Sequence, residues 1–191
     1  MLHLVIGGAR SGKSRFAERQ VAELVDAQAS AIQPYYIATA TAGEDIEMQQ
    51  RIMRHQQDRL QRQLSWQVVE SPLALAQTLT AIDNPKQVIL VDCLTLYLTN
   101  HLLIDAADTE SGEPCSSWHN EKQQLLNVLP KLQSHIVLVS NEVGSGIVPM
   151  GELSREFVDQ AGWLNQAIAE LADQVTLVVA GLPLALKPSN S

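Results

Sequence analysis

The sequence predicts an α/β fold, a doubly wound and mostly parallel sheet with helices on both faces. Three observations carry that expectation. Short apolar runs alternate with amphipathic stretches along the whole chain, the pattern of repeated strand and helix units. Several of the runs are apolar throughout, so both of their faces are buried, as in a parallel sheet covered by helices. The joint between the first run and the first amphipathic stretch reads "GGARSGKS", a glycine-rich loop at a strand-to-helix turn.

In chain order, "LHLVI" (2–6), "YYIAT" (35–39), "WQVVE" (66–70), "QVILVD" (87–92), "HIVLVS" (135–140) and "VTLVVAG" (175–181) read as strands. Ala17, Val21, Leu24 and Val25 repeat at helical spacing, as do Leu153, Phe157, Leu164, Ile168 and Leu171 within 152–173. Ser71-Pro72 is expected to open a helix, with serine as cap and proline in the first turn. The polar stretch "DAADTESGEPCSS" (105–117) is expected to be a surface loop. No internal repeat or linker divides the chain, so residues 1–191 are expected to form a single domain.

Residues Gly7 to Ser14 match the phosphate-loop pattern Gly-x-x-x-x-Gly-Lys-Ser in the context that its mechanism requires, strand before and helix after. This makes the fold P-loop NTPase-like. Glycine lets the backbone take positive φ and approach a ligand closely, so that successive N–H groups turn onto a polyphosphate. The helix that follows adds its own unpaired N–H groups and the positive end of its dipole. Lys13 is placed to reach the β- and γ-phosphates, and Ser14 to ligate the Mg²⁺ that accompanies a nucleoside triphosphate. At average residue usage the four fixed positions recur by chance on the order of once in a hundred chains of this length. Nucleotide phosphate binding therefore outweighs an incidental glycine-rich turn.

Bulk composition narrows the partners. A net charge of −8 disfavours nucleic acid and anionic membrane. Anionic ligands must be held by local features. Two cysteines, Cys93 and Cys115, without metal-like spacing give no disulfide framework and suit a reducing cytoplasm. No apolar run reaches the ~18 residues of a membrane span, and the first residues lack the features of a leader peptide. The expected location is cytoplasmic.

In open α/β sheets, ligands bind outside the carboxyl ends of the strands. Asp92 ends "QVILVD" and reads either as a helix cap or as a carboxylate holding the Mg²⁺ shell; beside a phosphate loop the metal reading leads. Asn141 and Glu142, which follow "HIVLVS" and open "NEVGSGIVP", suit a ligand-facing role. In "EDIEMQQRIMRHQQDRL", Glu47, Arg51, His55 and Arg59 are spaced by four and share one helix face. That stripe is open to two readings. One is a solvated face with a Glu–Arg pair; the other is an imidazole kept neutral and nucleophilic by flanking guanidinium groups, able to accept a phosphoryl or nucleotidyl group.

Together, "GGARSGKSRFAE", "YIATA", "EMQQRIMRH", "VDCLTLYLTN", "SNEVGSGIVP" and "DQAGWLNQAIAELADQVTLVVAGLPLALK" resemble the bifunctional adenosylcobinamide kinase / adenosylcobinamide-phosphate guanylyltransferase family of cobalamin biosynthesis. The resemblance covers the chain except for the region near 105–120. It implies two reactions: phosphorylation of adenosylcobinamide by ATP or GTP, then transfer of GMP from GTP to the resulting phosphate through a guanylylated histidine. The products are adenosylcobinamide-GDP and pyrophosphate. Carried onto this sequence, the covalent histidine is His55, with Arg54 standing where some relatives have a second, adjacent histidine. The implied nucleotide contacts are Gly7, Gly8, Ala9, Arg10, Ser11, Gly12, Lys13 and Ser14, with Thr39, Ala40, Thr41, Gln56, Gln57, Asp58, Arg59, Glu70 and Asp92. A homotrimer is implied as well. Guanine switch proteins, the rival class, read their base with an Asn-Lys-x-Asp element that this sequence lacks.

Overall fold

The computed structural model describes residues 1–27, 33–40, 64–111, 117–147 and 149–188. Among these are the strands β1 (Leu2–Gly7), β2 (Tyr35–Ala38), β3 (Gln67–Glu70), β4 (Val88–Asp92), β5 (His135–Asn141), β6 (Gln174–Val179) and β7 (Leu182–Lys187). The helices are α1 (Lys13–Ala27), α2 (Leu75–Ile82), α3 (Leu94–Ser111), α4 (Ser117–Val128) and α5 (Glu152–Leu171). The strands form one sheet in the order β3-β2-β4-β5-β1-β6-β7. Every neighbouring pair is parallel except the antiparallel β6 and β7.

The uniformly apolar runs are explained by a core on each face. Leu4, Ile37, Ile89, Val91, Ile136 and Leu138 face one way, against Leu75, Leu79, Leu94, Leu98, Leu125, Leu164 and Ile168 of the helices α2 to α5. Their strand neighbours Val5, Tyr36, Val88, Leu90, Val137 and Val139 face the other way, against Phe16, Ala17 and Val21 of α1. Alternate residues of one strand thus enter different cores, so β4 is apolar from Val88 to Val91 and β5 from Ile136 to Val139, with polar residues, buried Ser140 among them, confined to the strand ends. The polar residues Asp92 and Asn141 stand at those ends.

Two expectations are corrected, and one strand was not foreseen. The Ser71-Pro72 pair does not open a helix: the Ser71 N–H still bonds to the Ala38 carbonyl at 2.9 Å, prolonging the strand geometry. Helix α2 begins at Leu75, without a side-chain cap from its own N-cap residue Ala74. Its first donors are met from other helices, the Leu75 N–H by the Tyr97 hydroxyl at 3.3 Å and the Ala76 N–H by Glu121 Oε1 at 3.1 Å. Much of the expected loop at 105–117 is helical, because α3 runs on to Ser111. Asp105 is a cap rather than a turn former: its carboxylate oxygens accept from the Ser117 and Trp118 N–H groups, each at 3.1 Å, and so start α4. The strand not foreseen is β7. A proline at position 183 and six exposed side chains hide this strand from periodicity arguments, yet it pairs with β6 as the sheet edge.

Candidate functional site

Strand β1 ends at Gly7 and α1 begins at Lys13, so Gly8 to Gly12 form the joint. Two residues there take positive φ, Arg10 at 58° and Gly12 at 93°. The Ser11 N–H bonds to the Gly8 carbonyl at 3.2 Å, and the Phe16 N–H to the Gly12 carbonyl at 2.9 Å, closing the loop directly onto the first helical turn. Gly7 has no room for a side chain, since a Cβ would lie 2.5 Å from the Val178 carbonyl oxygen and 2.6 Å from Ser11 Oγ. Lys13 is buried, and its Nζ donates back across the loop to the Gly8 carbonyl at 3.1 Å. Ser14 is half-buried in the first turn of α1, and Gly8, Ala9 and Arg10 are exposed.

The carboxyl ends of β2 and β4 close on each other at the same end of the sheet as this loop, with β5 between β4 and β1. Tyr36 donates its hydroxyl to Asp92 Oδ2 at 3.1 Å. The Thr39 hydroxyl is fully buried; it accepts from the Cys93 N–H at 2.9 Å and donates to the Cys93 carbonyl at 2.7 Å. Thr39 therefore clamps the turn that follows Asp92. Burial pushes the Cys93 thiol pKa up, the Asp92 charge adds to the rise, and the Lys13 ammonium partly offsets it. The buried sulfur thus feels the charge of both the β4 carboxylate and the loop lysine.

Strand β5 lies between them, with Asn141 in register with Gly7. Asn141 Nδ2 donates to Thr95 Oγ1 at 2.8 Å, and Asn165 Nδ2 of α5 donates to the Asn141 carbonyl at 3.1 Å. Asn100 of α3 donates to the Thr39 and Pro72 carbonyls at 2.8 and 3.1 Å. These amides tie the segments that follow β2 and β3, and the end of β5, to the helices α3 and α5. The Glu142 N–H bonds to the Gly7 carbonyl at 3.1 Å, while its carboxylate accepts from the Gly144 and Ser145 N–H groups at 2.9 and 3.1 Å. Glu142 thus folds its own loop against the phosphate loop.

Of the residues singled out from sequence, the fold brings Gly7 to Ser14, Thr39, Ala40 and Asp92 to the carboxyl ends of β1, β2 and β4, on one edge of the sheet. Glu70 sits farther along the same edge, exposed, at the end of β3 and opposite Ala38. Thr41, His55, Gln56, Gln57, Asp58 and Arg59 lie outside the described residues, with the stripe that contains Glu47 and Arg51. Sequence reasoning missed Tyr36, Thr95, Asn100 and Asn165, whose only sequence signal is a polar group near a strand end or in a helix facing it.

The family model described as cobinamide kinase / cobinamide phosphate guanyltransferase matches residues 3–186. The chain belongs to this family. The bifunctional adenosylcobalamin biosynthesis protein CobP of Pseudomonas aeruginosa is 51% identical over 187 residues, covering 98% of both chains. The bifunctional protein CobU of Escherichia coli is 38% identical over 196 residues, and that of Salmonella typhimurium 38% over 192, each match covering 98% of this chain and 100% of the relative. Family membership therefore spans the phosphate loop, the β4 carboxylate and the edge strand together, leaving no large part of the described fold outside the match.

Proposed function

We propose that the chain, acting as one domain, phosphorylates adenosylcobinamide with ATP or GTP and then transfers GMP from GTP to adenosylcobinamide phosphate through His55. The observation that carries the reading is a complete phosphate loop, with its lysine folded across the mouth, in a chain matched to the family over residues 3–186.

In the first reaction the substrate hydroxyl attacks the γ-phosphorus and loses its proton as the nucleoside diphosphate leaves. Such a transfer depends mainly on positioning and charge stabilisation. The loop amides and Lys13 supply both. In the second, a His55 ring nitrogen attacks the α-phosphorus of GTP and pyrophosphate leaves. The phosphate of adenosylcobinamide phosphate then attacks the GMP phosphorus and the histidine departs, so one difficult displacement becomes two. Gly7 to Ser14, Thr39 to Thr41, Gln56 to Arg59, Glu70 and Asp92 make up the proposed nucleotide contacts.

Ser14 and Asp92 fit Mg²⁺ by donor chemistry, one hydroxyl and one carboxylate, both oxygen. Among the described residues no cluster of His, Cys, Asp or Glu could hold a metal ion alone. The two residues therefore suit an ion that arrives with phosphate oxygens and water. When bound it neutralises phosphate charge.

A cleft of about 400 Å³ between α3 and α5, lined by Leu102, Leu103, Pro149, Leu153 and Phe157, supports a bulky, partly apolar substrate. Exposed Val179, Leu182, Leu184 and Leu186 on the edge hairpin support self-association, with a homotrimer as the proposed state. No helix among the described residues is long and apolar enough to cross a membrane. A cytoplasmic location is proposed on that basis and on the biosynthetic role.

Incubation with GTP and Mg²⁺ followed by intact-mass measurement tests the reading. The expected product is an acid-labile adduct of one GMP, lost in His55→Ala. A protein that turns over adenosylcobinamide to its phosphate but never carries GMP would be a kinase only.

A further inference from the structure

The turn between β6 and β7 touches the phosphate loop from outside the sequence motif. The Gly181 N–H donates to the Ser11 carbonyl at 2.8 Å. Gly181 Cα lies so close to Gly12 that a Cβ on Gly12 would sit 3.2 Å from it. One strand earlier, the Val178 carbonyl faces Gly7 at a distance that excludes a Cβ there. Hairpin and loop therefore meet at the first glycine of the motif, at the second, and at the serine between them.

The consequence follows from peptide geometry. A trans peptide is planar, with its carbonyl and the next N–H pointing in opposite directions. Holding the Ser11 carbonyl onto the hairpin therefore turns the Gly12 N–H away from the hairpin. Without a partner for that carbonyl, the 11–12 plane has no reason to keep the orientation, and an amide aimed at an anion is useful only if it is aimed beforehand. The turn is built for the contact: Ala180 and Gly181 take φ of 51° and 79°, the paired positive values of a tight two-residue hairpin, and Val179 pairs with Leu182 across it. A relaxed turn would point the Gly181 N–H elsewhere.

We infer that Gly181 is a positioning residue for nucleotide binding: its N–H, presented by the β6–β7 turn, fixes the Ser11–Gly12 peptide so that the Gly12 amide faces the phosphates. The inference rests on residues 7–14 being the nucleotide phosphate site.

Calorimetric titration of the full chain with GTP and Mg²⁺, and with guanosine as a probe lacking phosphates, tests it well below the melting temperature of each variant. In Gly181→Val, whose branched side chain disfavours positive φ, GTP affinity is expected to fall at least tenfold and guanosine affinity to stay within twofold. Gly181→Asn keeps the N–H, accepts positive φ and meets no atom within 4 Å of its Cβ; it should restore GTP binding to within about threefold of the parent. Should Gly181→Val fail to fold, an ester in place of the 180–181 amide, introduced by ligating a synthetic C-terminal peptide, removes the N–H alone and should give the same selective loss. Unchanged GTP affinity in the folded valine variant or in the ester overturns the inference, as does an equal loss for GTP and guanosine. A parent protein that binds no GTP overturns instead the reading of residues 7–14.

Discussion

The Tyr36 hydroxyl on β2 donates to Asp92 Oδ2 on β4 at 3.1 Å, joining an aromatic residue of one core to the carboxylate that ends β4. The ring is held independently, edge-on to Trp66 with centroids 5.6 Å apart. Removing the hydroxyl therefore leaves the packing in place and deprives the carboxylate of a donor. Tyr36→Phe is expected to lower the rate of cobinamide phosphorylation about tenfold, the rate equivalent of one hydrogen bond to a charged group. Asp92→Asn should lower it by about 10²–10³, as loss of a main electrostatic group does. If the tyrosine acts through the aspartate, adding Tyr36→Phe to Asp92→Asn changes little further, and additive effects in the double variant would refute the coupling.

Neighbouring glycines of the loop differ in what they tolerate. At Gly7 an added Cβ meets the Val178 carbonyl at 2.5 Å, a backbone atom that cannot step aside. At Gly8 it meets nothing within 4 Å. Gly7→Ala should destabilise the fold by about 1–3 kcal/mol, the range for overpacking a filled site. Gly8→Ala should leave unfolding in urea within about 0.5 kcal/mol of the parent. Equal denaturation midpoints for the two variants would contradict the geometry.

The loop was legible in the sequence because its parts are contiguous and its mechanism fixes their spacing. Asp92 was legible because a carboxylate ending an apolar strand is anomalous unless it faces a ligand or a helix. The contacts that hold Asp92 and the other strand ends were not, for a physical reason: Tyr36 is 56 residues from Asp92, Asn100 is 61 from Thr39, and Asn141 is 46 from Thr95. Such pairs exist only once strand order is known, and β5 lying between β4 and β1 is a tertiary outcome. Strand β7 was missed because period and burial both fail on an exposed edge. Its turn reaches Ser11 only through the closing of β6 on β1.

Acid should weaken the fold before carboxylates begin to titrate. His3 is buried beside Thr176, with Nε2 and the threonine hydroxyl 2.9 Å apart, and burial lowers its pKa below the ordinary 6.5. His101, packed edge-on to Tyr97 and 2.8 Å from the Ser117 hydroxyl, is also lowered by burial, with the charges of Glu121 and Asp105 opposing the shift. For a histidine with a depressed folded pKa, the unfolded chain binds the proton first. Stability is therefore intact above about pH 6.5 and declines as pH falls from there toward the folded value, with a slope of at most about 1.4 kcal/mol per pH unit for each group. Urea denaturation between pH 7.5 and 5, pH values chosen to span the ordinary histidine range, should show this loss. His3→Gln should flatten the slope by one group's share, and an unaltered slope would remove His3 from the account.

Ala180 carries a side chain at φ 51°, where an L-residue other than glycine, asparagine or aspartate is strained. It is followed by Gly181 at φ 79°, so the turn already has the geometry for which Asn-Gly is the preferred pair. Ala180→Asn should relieve part of the strain without moving the backbone and raise stability by about 0.5–1 kcal/mol. Ala180→Val should do the opposite, since a β-branched residue tolerates this region least. Because the Gly181 N–H holds the Ser11 carbonyl, the valine variant should weaken GTP binding together with stability, whereas the asparagine variant gains stability with binding retained. Melting temperature and GTP affinity measured on both variants check this, and a valine variant that loses stability while keeping full affinity would separate the hairpin's fold from the loop it abuts.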